Sequence, residues 1–298
     1  MKRILLFLIM AAALASVCGC CHKAEGPKAK HLFLIGLDGL SSEAYVQADM
    51  PFVKSLAENG SYTIKKRSTL PSWSTVNWAS MFMGVPTEIH GFTANTATPD
   101  TPARVENAQG MSTTVFRLLR DARPDAEIGF LYDWNGIKYV ADTLAMSKTF
   151  WSETTDPDVL LPQAVEYVAT KPDLAAFIFD NPDHVGHESG WCSPEYYEMC
   201  KKLDSCVEAI CKAIEEAGIM DESIIIVTSD HGGINRTHGG STLSELEAPF
   251  VIYGKNIKKG YCFDDVSMMQ YDITATMATA LGLEQPQSWT GRPMPVFE

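Results

Sequence analysis

A chain of 298 residues that is 46% hydrophobic and 20% charged carries enough apolar material for one large folded domain, and this excludes a disordered or fibrous chain. Its formal net charge of −13 repels polyanions, so no binding of a nucleic-acid polymer is expected. A phosphate substrate is not excluded, because bound divalent cations invert the local field.

In chain order, Lys2 and Arg3 precede an apolar run, residues 4–14, that is too short to span a bilayer. Val17-Cys18-Gly19-Cys20-Cys21 follows. The whole resembles a bacterial lipoprotein signal, in which a Cys behind a small residue is acylated. Cys20 behind Gly19 fits that role. This gives a signal peptide at 1–20, a polar tether at 21–30 and a catalytic domain at 31–298. The expected place is outside the cytoplasm, lipid-anchored to a membrane and facing the periplasm or the cell surface. A plain cleaved signal and a soluble periplasmic protein form the alternative.

Residues 31–37 are an apolar run ending at Asp38-Gly39, which predicts a buried strand with a functional group at its carboxyl end. Helical spacing over 41–59 stops near Gly60. A second strand is expected at 62–67, a short helix at 75–83 before Gly84, and a long loop over 86–110. Then come a helix at 112–120, a strand at 127–132, a helix at 158–170, a strand at 174–179 and a long helix at 194–217. A strand at 223–228, a strand at 249–253 and a helix at 268–281 complete the chain. Strands alternating with helices predict an α/β domain with a mainly parallel central sheet and helices on both faces. Beyond the signal, Cys192, Cys200, Cys206, Cys211 and Cys262 are odd in number and have no zinc-finger spacing, so no pairing is assigned.

Asp38, Asp183 and Asp230 fall just past strand carboxyl ends, the edge at which open α/β sheets bind ligands. Asp183 and His187 form Asp-x-x-x-His, Asp230 and His231 are adjacent, and His238 follows. Mixed Asp and His donors suit zinc, with manganese as the alternative. Taken singly, an Asp-Gly is a turn and a lone His a hydrogen-bonded or surface residue. The run Ser229-Asp230-His231-Gly232-Gly233 is more specific, since glycines behind an apolar strand let backbone approach a ligand.

Leu37-Asp38-Gly39, the segment from Ser74 to His90-Gly91, the segment from Asn181 to His187, and Thr228 to Gly232 with His238-Gly239 stand in one order along the chain. In these pieces the chain resembles the nucleotide pyrophosphatase/phosphodiesterase branch of the alkaline phosphatase superfamily, from Asp38 to about Gly254. The resemblance implies an alkaline phosphatase-like fold and two divalent metal ions. One would be held by Asp183, His187 and His238. The other would be held by Asp38, Asp230, His231 and the nucleophile's oxygen.

It places that nucleophile at Ser74, in Ser74-Thr75-Val76-Asn77, with Val76 where the family has proline. Asn77 stands for the amide that donates to a phosphoryl oxygen. Thr75 and Thr69 are competing hydroxyls. A helix start attracts anions, and metal coordination activates a hydroxyl. The plain alternative for Ser74 is a helix N-cap. His90-Gly91 reads as structural support, and His184 has no ligand role. Trp73, Trp78, Trp134 and Trp191 are core, rim or pocket lining. His22 and His31 are expected to be exposed, and Lys65-Lys66-Arg67 to be a solvated strand end.

The expected activity is a metal-dependent phosphodiesterase or nucleotide pyrophosphatase acting on a small phosphate ester through a phosphoserine. Thr69-Leu70-Pro71-Ser72-Trp73 lacks the convertible residue and the Arg of a sulfatase motif. No Arg is placed by a motif to grip a monoester. Phosphomonoesterase, phosphonate hydrolase and sulfatase are the alternatives within the superfamily. A non-catalytic metal-binding surface lipoprotein is the alternative outside it. Nothing in the sequence sets the oligomeric state.

Overall fold

The computed structural model describes residues 26–98, 101 and 106–298. The expected signal peptide, Cys18, Cys20, His22 and the first part of the tether lie outside the described residues. The strands are β1 His31–Leu37, β2 Ser61–Arg67, β3 Ile128–Tyr132, β4 Lys148–Trp151, β5 Leu174–Phe179, β6 Ser223–Thr228, β7 Glu247–Gly254 and β8 Tyr261–Cys262. They form one sheet in the order β4-β3-β5-β1-β6-β7-β2-β8. Only β7 runs against its neighbours, so the sheet is mainly parallel, as expected.

The helices are α1 Ser42–Gln47, α2 Pro51–Glu58, α3 Ser74–Met83, α4 Thr87–His90, α5 Val115–Ala122, α6 Pro157–Val168, α7 Asp183–Ser189, α8 Pro194–Glu216, α9 Leu243–Leu246 and α10 Asp272–Leu281. They cover both faces because the central strands are apolar on both. Leu32 and Leu34 of β1 face one core with Trp78, Phe116 and Ile273. Phe33, Ile35 and Leu37 face the other with Leu56, Leu160 and Val207. Fully burying such side chains contributes about 1.5–3 kcal/mol each.

Four expectations shift. The helix expected over 41–59 is two helices, because Pro51 has no N–H to continue the first and drives Met50 out of the helical region, to φ −122° and ψ 62°. Pro51 then suits the first turn of α2, whose free N–H groups at Phe52 and Val53 are capped from α8 by the Asp204 carboxylate at 3.0 and 2.8 Å. The helix expected from 112 starts at Val115, behind Thr114, whose hydroxyl accepts from the Arg117 N–H at 3.1 Å. The helix expected from 268 starts at Asp272, which turns back to accept from the Met269 N–H at 2.7 Å. The loop expected over 86–110 contains α4. The short elements β4, β8, α7 and α9 were not anticipated.

Candidate metal centre

β1 lies between β5 and β6, so the segments beyond their carboxyl ends emerge side by side. That brings Asp38, Asp183 and Asp230 together from distant parts of the chain. Two glycines make the approach close. A Cβ on Gly36 would lie 2.5 Å from the Trp78 ring. Its absence lets the indole sit against β1 and donate to Asp38 Oδ2 at 2.8 Å. Gly39 has φ +71°, a conformation other residues avoid, and a Cβ there would lie 2.7 Å from that of Asp183. Its N–H donates to Asp230 Oδ1 at 3.2 Å.

Asp38, Asp183 and Asp230 are 1%, 8% and 0% exposed. Each leaves one buried oxygen without a hydrogen-bond partner: Asp38 Oδ1, Asp183 Oδ1 and Asp230 Oδ2. Three histidines face them. A backbone carbonyl takes Nδ1 of each: Gly232 O for His231 at 2.7 Å, Ser72 O for His238 at 2.9 Å, and Arg236 O for His187 at 3.0 Å. With Nδ1 donating, Nε2 of His231 and of His238 presents a lone pair, as in metal-bound histidine, whereas Nε2 of His187 carries a proton toward Asp183. His231 Nε2 lies 3.4 Å from Asp38 Oδ1, 3.3 Å from Asp230 Oδ2 and 3.9 Å from Asp183 Oδ1. His238 Nε2 lies 3.6 Å from Asp183 Oδ1, and His187 Nε2 3.3 Å from Asp183 Oδ2.

The orphaned oxygens and the free nitrogens thus face one another. Uncompensated, this costs dearly in a buried site; a divalent cation resolves it, so the donor set fits metal ions. Asp183, His231 and His238 form one compact group, and Asp38, Asp230 and His231 a second. His231 stands between them. His187 is at the rim, with its side chain 42% exposed and its ring 5.0 Å from that of His238.

The electrostatics follow from burial and crowding. Burial, then Asp230 and Asp183, pushes the Asp38 carboxyl well above its usual range. Burial also works to raise Asp183, but its bond to His187 and the nearby His231 and His238 rings hold it below. The bond to Asp183 raises His187 to about 9. Burial, then His231, lowers His238 to about 4. Asp180, at the end of β5 and not singled out in the sequence, is pushed to about 7 by burial and then by Asp183.

Ser74 is the first residue of α3, behind Trp73 at the cap position, so it is not the N-cap. It is 5% exposed, and its Oγ lies 3.1 Å from His231 Nε2. The competing hydroxyls are placed otherwise. Thr69 Oγ1 donates to Asn77 Oδ1 at 3.1 Å and touches Ser80 Oγ. Thr75 Oγ1 is buried without a partner.

Asn77 departs from expectation. It is fully buried, and its amide group donates to the carbonyls of Thr69, Pro71 and Trp73 at 3.3, 3.4 and 3.1 Å. Its Oδ1 accepts from the Thr69 N–H at 2.7 Å. Asn77 therefore braces the loop ahead of α3, because that loop folds back over the helix and takes all its donors. A different amide lies beside the nucleophile: Asn95 Oδ1 accepts from the Thr75 N–H at 2.8 Å. Asn95 sits in the aperiodic stretch after α4, where no sequence signal marked it.

Lys66 is also a correction, being fully buried rather than solvated. A register shift in β2 between Thr63 and Lys66 inserts a bulge, which turns Lys66 to the inner face and leaves Lys65 outside. Its Nζ donates to Ser229 O at 2.5 Å and to Gln270 Oε1. Burial lowers it to about 7. Arg67 pairs with Glu247 at 2.9 Å.

Trp78 is core and bonded to Asp38, whereas Trp191 donates to Gly39 O at 2.9 Å and sets its ring edge-on to His187. Trp73 lies edge-on to His238, and Trp134 packs on the core. His90 is buried against Ser80, His184 is 3.4 Å from Glu188, and His31 is half-buried on Pro172 O rather than exposed.

Residues 32–246 match the family model for type I phosphodiesterase / nucleotide pyrophosphatase. The chain is 29% identical over 163 residues to GPI ethanolamine phosphate transferase 2 of Aspergillus fumigatus. That match covers 50% of this chain but only 21% of the relative's length. Human ectonucleotide pyrophosphatase / phosphodiesterase 5 superposes with a TM-score of 0.73 at 13% identity, over 89% of this chain and 97% of that one. A 2-O GAG sulfatase does so with a TM-score of 0.73 at 15% identity, over 89% of this chain and 73% of that one. At such identities these likenesses carry the fold, which is alkaline phosphatase-like.

Proposed function

The chain belongs to the type I phosphodiesterase / nucleotide pyrophosphatase family, and from that premise we propose that it hydrolyses phosphoric diesters with Ser74 as nucleophile beside two divalent cations. The observation that carries this is the set of orphaned carboxylate oxygens facing the Nε2 atoms of His231 and His238, with Ser74 Oγ 3.1 Å from that of His231. Asp38, Asp230 and His231 hold one cation next to Ser74. Asp183, His187 and His238 hold the other. Zinc suits these donors best, with manganese as the alternative. When bound, such ions polarise phosphoryl oxygens and lower the pKa of a coordinated hydroxyl.

Ser74 Oγ loses its proton to water as it bonds phosphorus, the ester bond breaks in line with it, and the departing oxygen takes up a proton from water to leave as the alcohol. Water then cleaves the phosphoserine and restores the hydroxyl. The amino terminus of α3 favours the anionic phosphoryl group. Asn95, held by its oxygen next to Ser74, supplies the amide donor to a non-bridging oxygen. His187, half-exposed, stands at the rim of this site. The residues after Ser74 read Thr75-Val76-Asn77-Trp78, with neither the proline nor the arginine of a sulfatase motif, so phosphate esters are favoured over sulfate esters.

Export and acylation of Cys20 belong to the same proposal. Among the described residues no helix is long and apolar enough to cross a membrane. Incorporation of labelled palmitate that a Cys20→Ala change abolishes would support the anchor; unchanged labelling would remove it.

The test of the chemistry is nitrophenol release from bis- and mono-nitrophenyl phosphate, with and without a chelator, by the wild type and Ser74→Ala. The diester should be preferred and the chelator should stop turnover. Ser74→Ala should lose about three or more powers of ten while keeping its metals. Full turnover by metal-loaded Ser74→Ala would sink the assignment, and an inactive, fully loaded wild type would favour a binding protein.

A further inference from the structure

Residues 66–73 run from the end of β2 to the start of α3 and hold two of the ligand-bearing loops. Lys66 Nζ holds Ser229 O, and two residues on Ser68 Oγ donates to Asp230 O at 2.6 Å. Consecutive carbonyls of the loop that carries Asp230 and His231 are thus fixed from the end of β2 and the residue just beyond it. Ser72 holds the other ligand loop. Its carbonyl takes His238 Nδ1 at 2.9 Å, and its Oγ accepts from the Gly239 N–H at 3.0 Å and donates to Gly240 O at 2.9 Å. Between these points Asn77 binds Thr69, Pro71 and Trp73 and so ties the segment to the helix of Ser74.

We propose that residues 66–73 are a positioning strap, in which Lys66 and Ser68 set the Asp230–His231 half-site and Ser72 sets the His238 half-site. The proposal rests on the two-cation reading above. None of these side chains needs to touch substrate. Lys66 is the clearest sign: a fully buried amino group costs far more to bury than a methionine of similar length, and among the described residues no carboxylate is in hydrogen-bond contact with it. Its two acceptors are neutral oxygens, and one of them belongs to the residue before Asp230. If Lys66 only filled space, an apolar side chain would serve. As a strap it supplies the short donor to Ser229 O, whose other contacts are long, to Thr228 Oγ1 at 3.4 Å and Gln270 Nε2 at 3.5 Å.

A strap of this kind makes the half-sites separable, which general loss of packing would not. The experiment loads the full chain, and its Lys66→Met and Ser72→Ala variants, with cobalt(II). It then measures stoichiometry and the affinity of each ion by chelator competition, with the visible absorption reporting ligand geometry. Wild type should retain two ions. Ser72→Ala should weaken one ion about 10- to 100-fold and Lys66→Met the other, in the range seen when groups behind metal ligands are removed. Combining Ser72→Ala with His238→Ala should add nothing for the ion they share, whereas Lys66→Met with His238→Ala should be additive. If Lys66→Met does not fold, Ser68→Ala probes the same half-site. Two ions in the wild type but equal weakening of both, or of neither, by each variant would overturn the strap alone. One ion in the wild type would overturn the two-cation reading and, with it, separate half-sites.

Discussion

The rings of His231 and His238 stack face to face, with centroids 3.8 Å apart and planes 15° from parallel. The short hairpin between them, closed by Ile234 and Thr237 at 2.9 and 3.1 Å, folds the chain back to make this contact. Two protonated imidazoles would not sit this way. Burial and then His231 lower His238 from 6.5 to about 4, so the folded protein resists a proton there that the unfolded chain accepts. The unfolded state therefore binds more protons between these values, and stability falls as pH drops through them. The penalty is absent above pH 6.5 and complete below about 4, where it reaches about 3 kcal/mol. Chelator-treated protein should lose melting temperature through that window, and His238→Asn should flatten the decline. An unchanged slope in the variant would show that another group sets it.

His187 has the opposite sign. Its bond to Asp183 raises it from 6.5 to about 9. Its contribution to the metal-free fold is complete below pH 6.5 and is lost as pH rises through 9. A cation can use His187 Nε2 only after displacing that proton. Metal binding should thus release a proton at neutral pH and tighten up to about tenfold per pH unit until pH 9. Titration in buffers of different ionisation enthalpy counts the proton. A His187→Ala variant that releases the same number would remove His187 from the ligand set.

Asn77 and Asn95 separate stability from catalysis. Asn77 is buried with every polar atom bonded, so Asn77→Ala strands several loop groups and should cost about 2–4 kcal/mol in denaturant unfolding. Asn95 is exposed and, among the described residues, its side chain makes one bond, to the residue after the nucleophile. Asn95→Ala should leave stability within about 0.5 kcal/mol and lower kcat by about 100-fold. The reverse pattern would return the donor role to Asn77.

How far the sequence leads is plain from these two residues. The strands at 31–37, 174–179 and 223–228 were legible because sheet faces buried on both sides leave continuous apolar runs, and the acids just beyond them mark the ligand edge. Asn77 kept its position but not its role, since the direction of an amide depends on how the loop at 69–73 folds back. Lys66 lay in a basic run, and only the bulge against β7 turns it inward. The break at Pro51 was visible as a proline, but its repair by Asp204 comes from a helix about 150 residues away in sequence and has no local signature.

That repair is itself testable. Asp204 supplies both oxygens to the N–H groups that open α2, and the cap position there, Met50, has no side-chain bond of its own. Asp204→Ala should cost about 1–2 kcal/mol, the loss of a helix cap, and leave turnover per metal-loaded molecule unchanged, because α2 does not carry a ligand. A loss of activity at full metal occupancy would show that this corner of the fold reaches the centre.

Trp78 gives the last prediction. Among the described residues its indole N–H is the one hydrogen bond on the Asp38 side chain, at 2.8 Å, and Gly36 is what lets the ring lie close enough to make it. Trp78→Phe keeps a buried aromatic ring but removes the donor and leaves a small cavity. Metal affinity at the half-site of Asp38 should fall about 10-fold, on top of the loss of metal-free melting temperature that the cavity brings. Gly36→Ala attacks the same bond from the other side: the new methyl displaces the indole, so both affinity and stability should drop, with a shift in tryptophan fluorescence as Trp78 moves. The two variants together should weaken metal binding no more than Gly36→Ala alone, because each removes the same contact. If their effects on affinity instead add, Trp78 does not act through Asp38 and the hydrogen bond carries no part of the metal's hold.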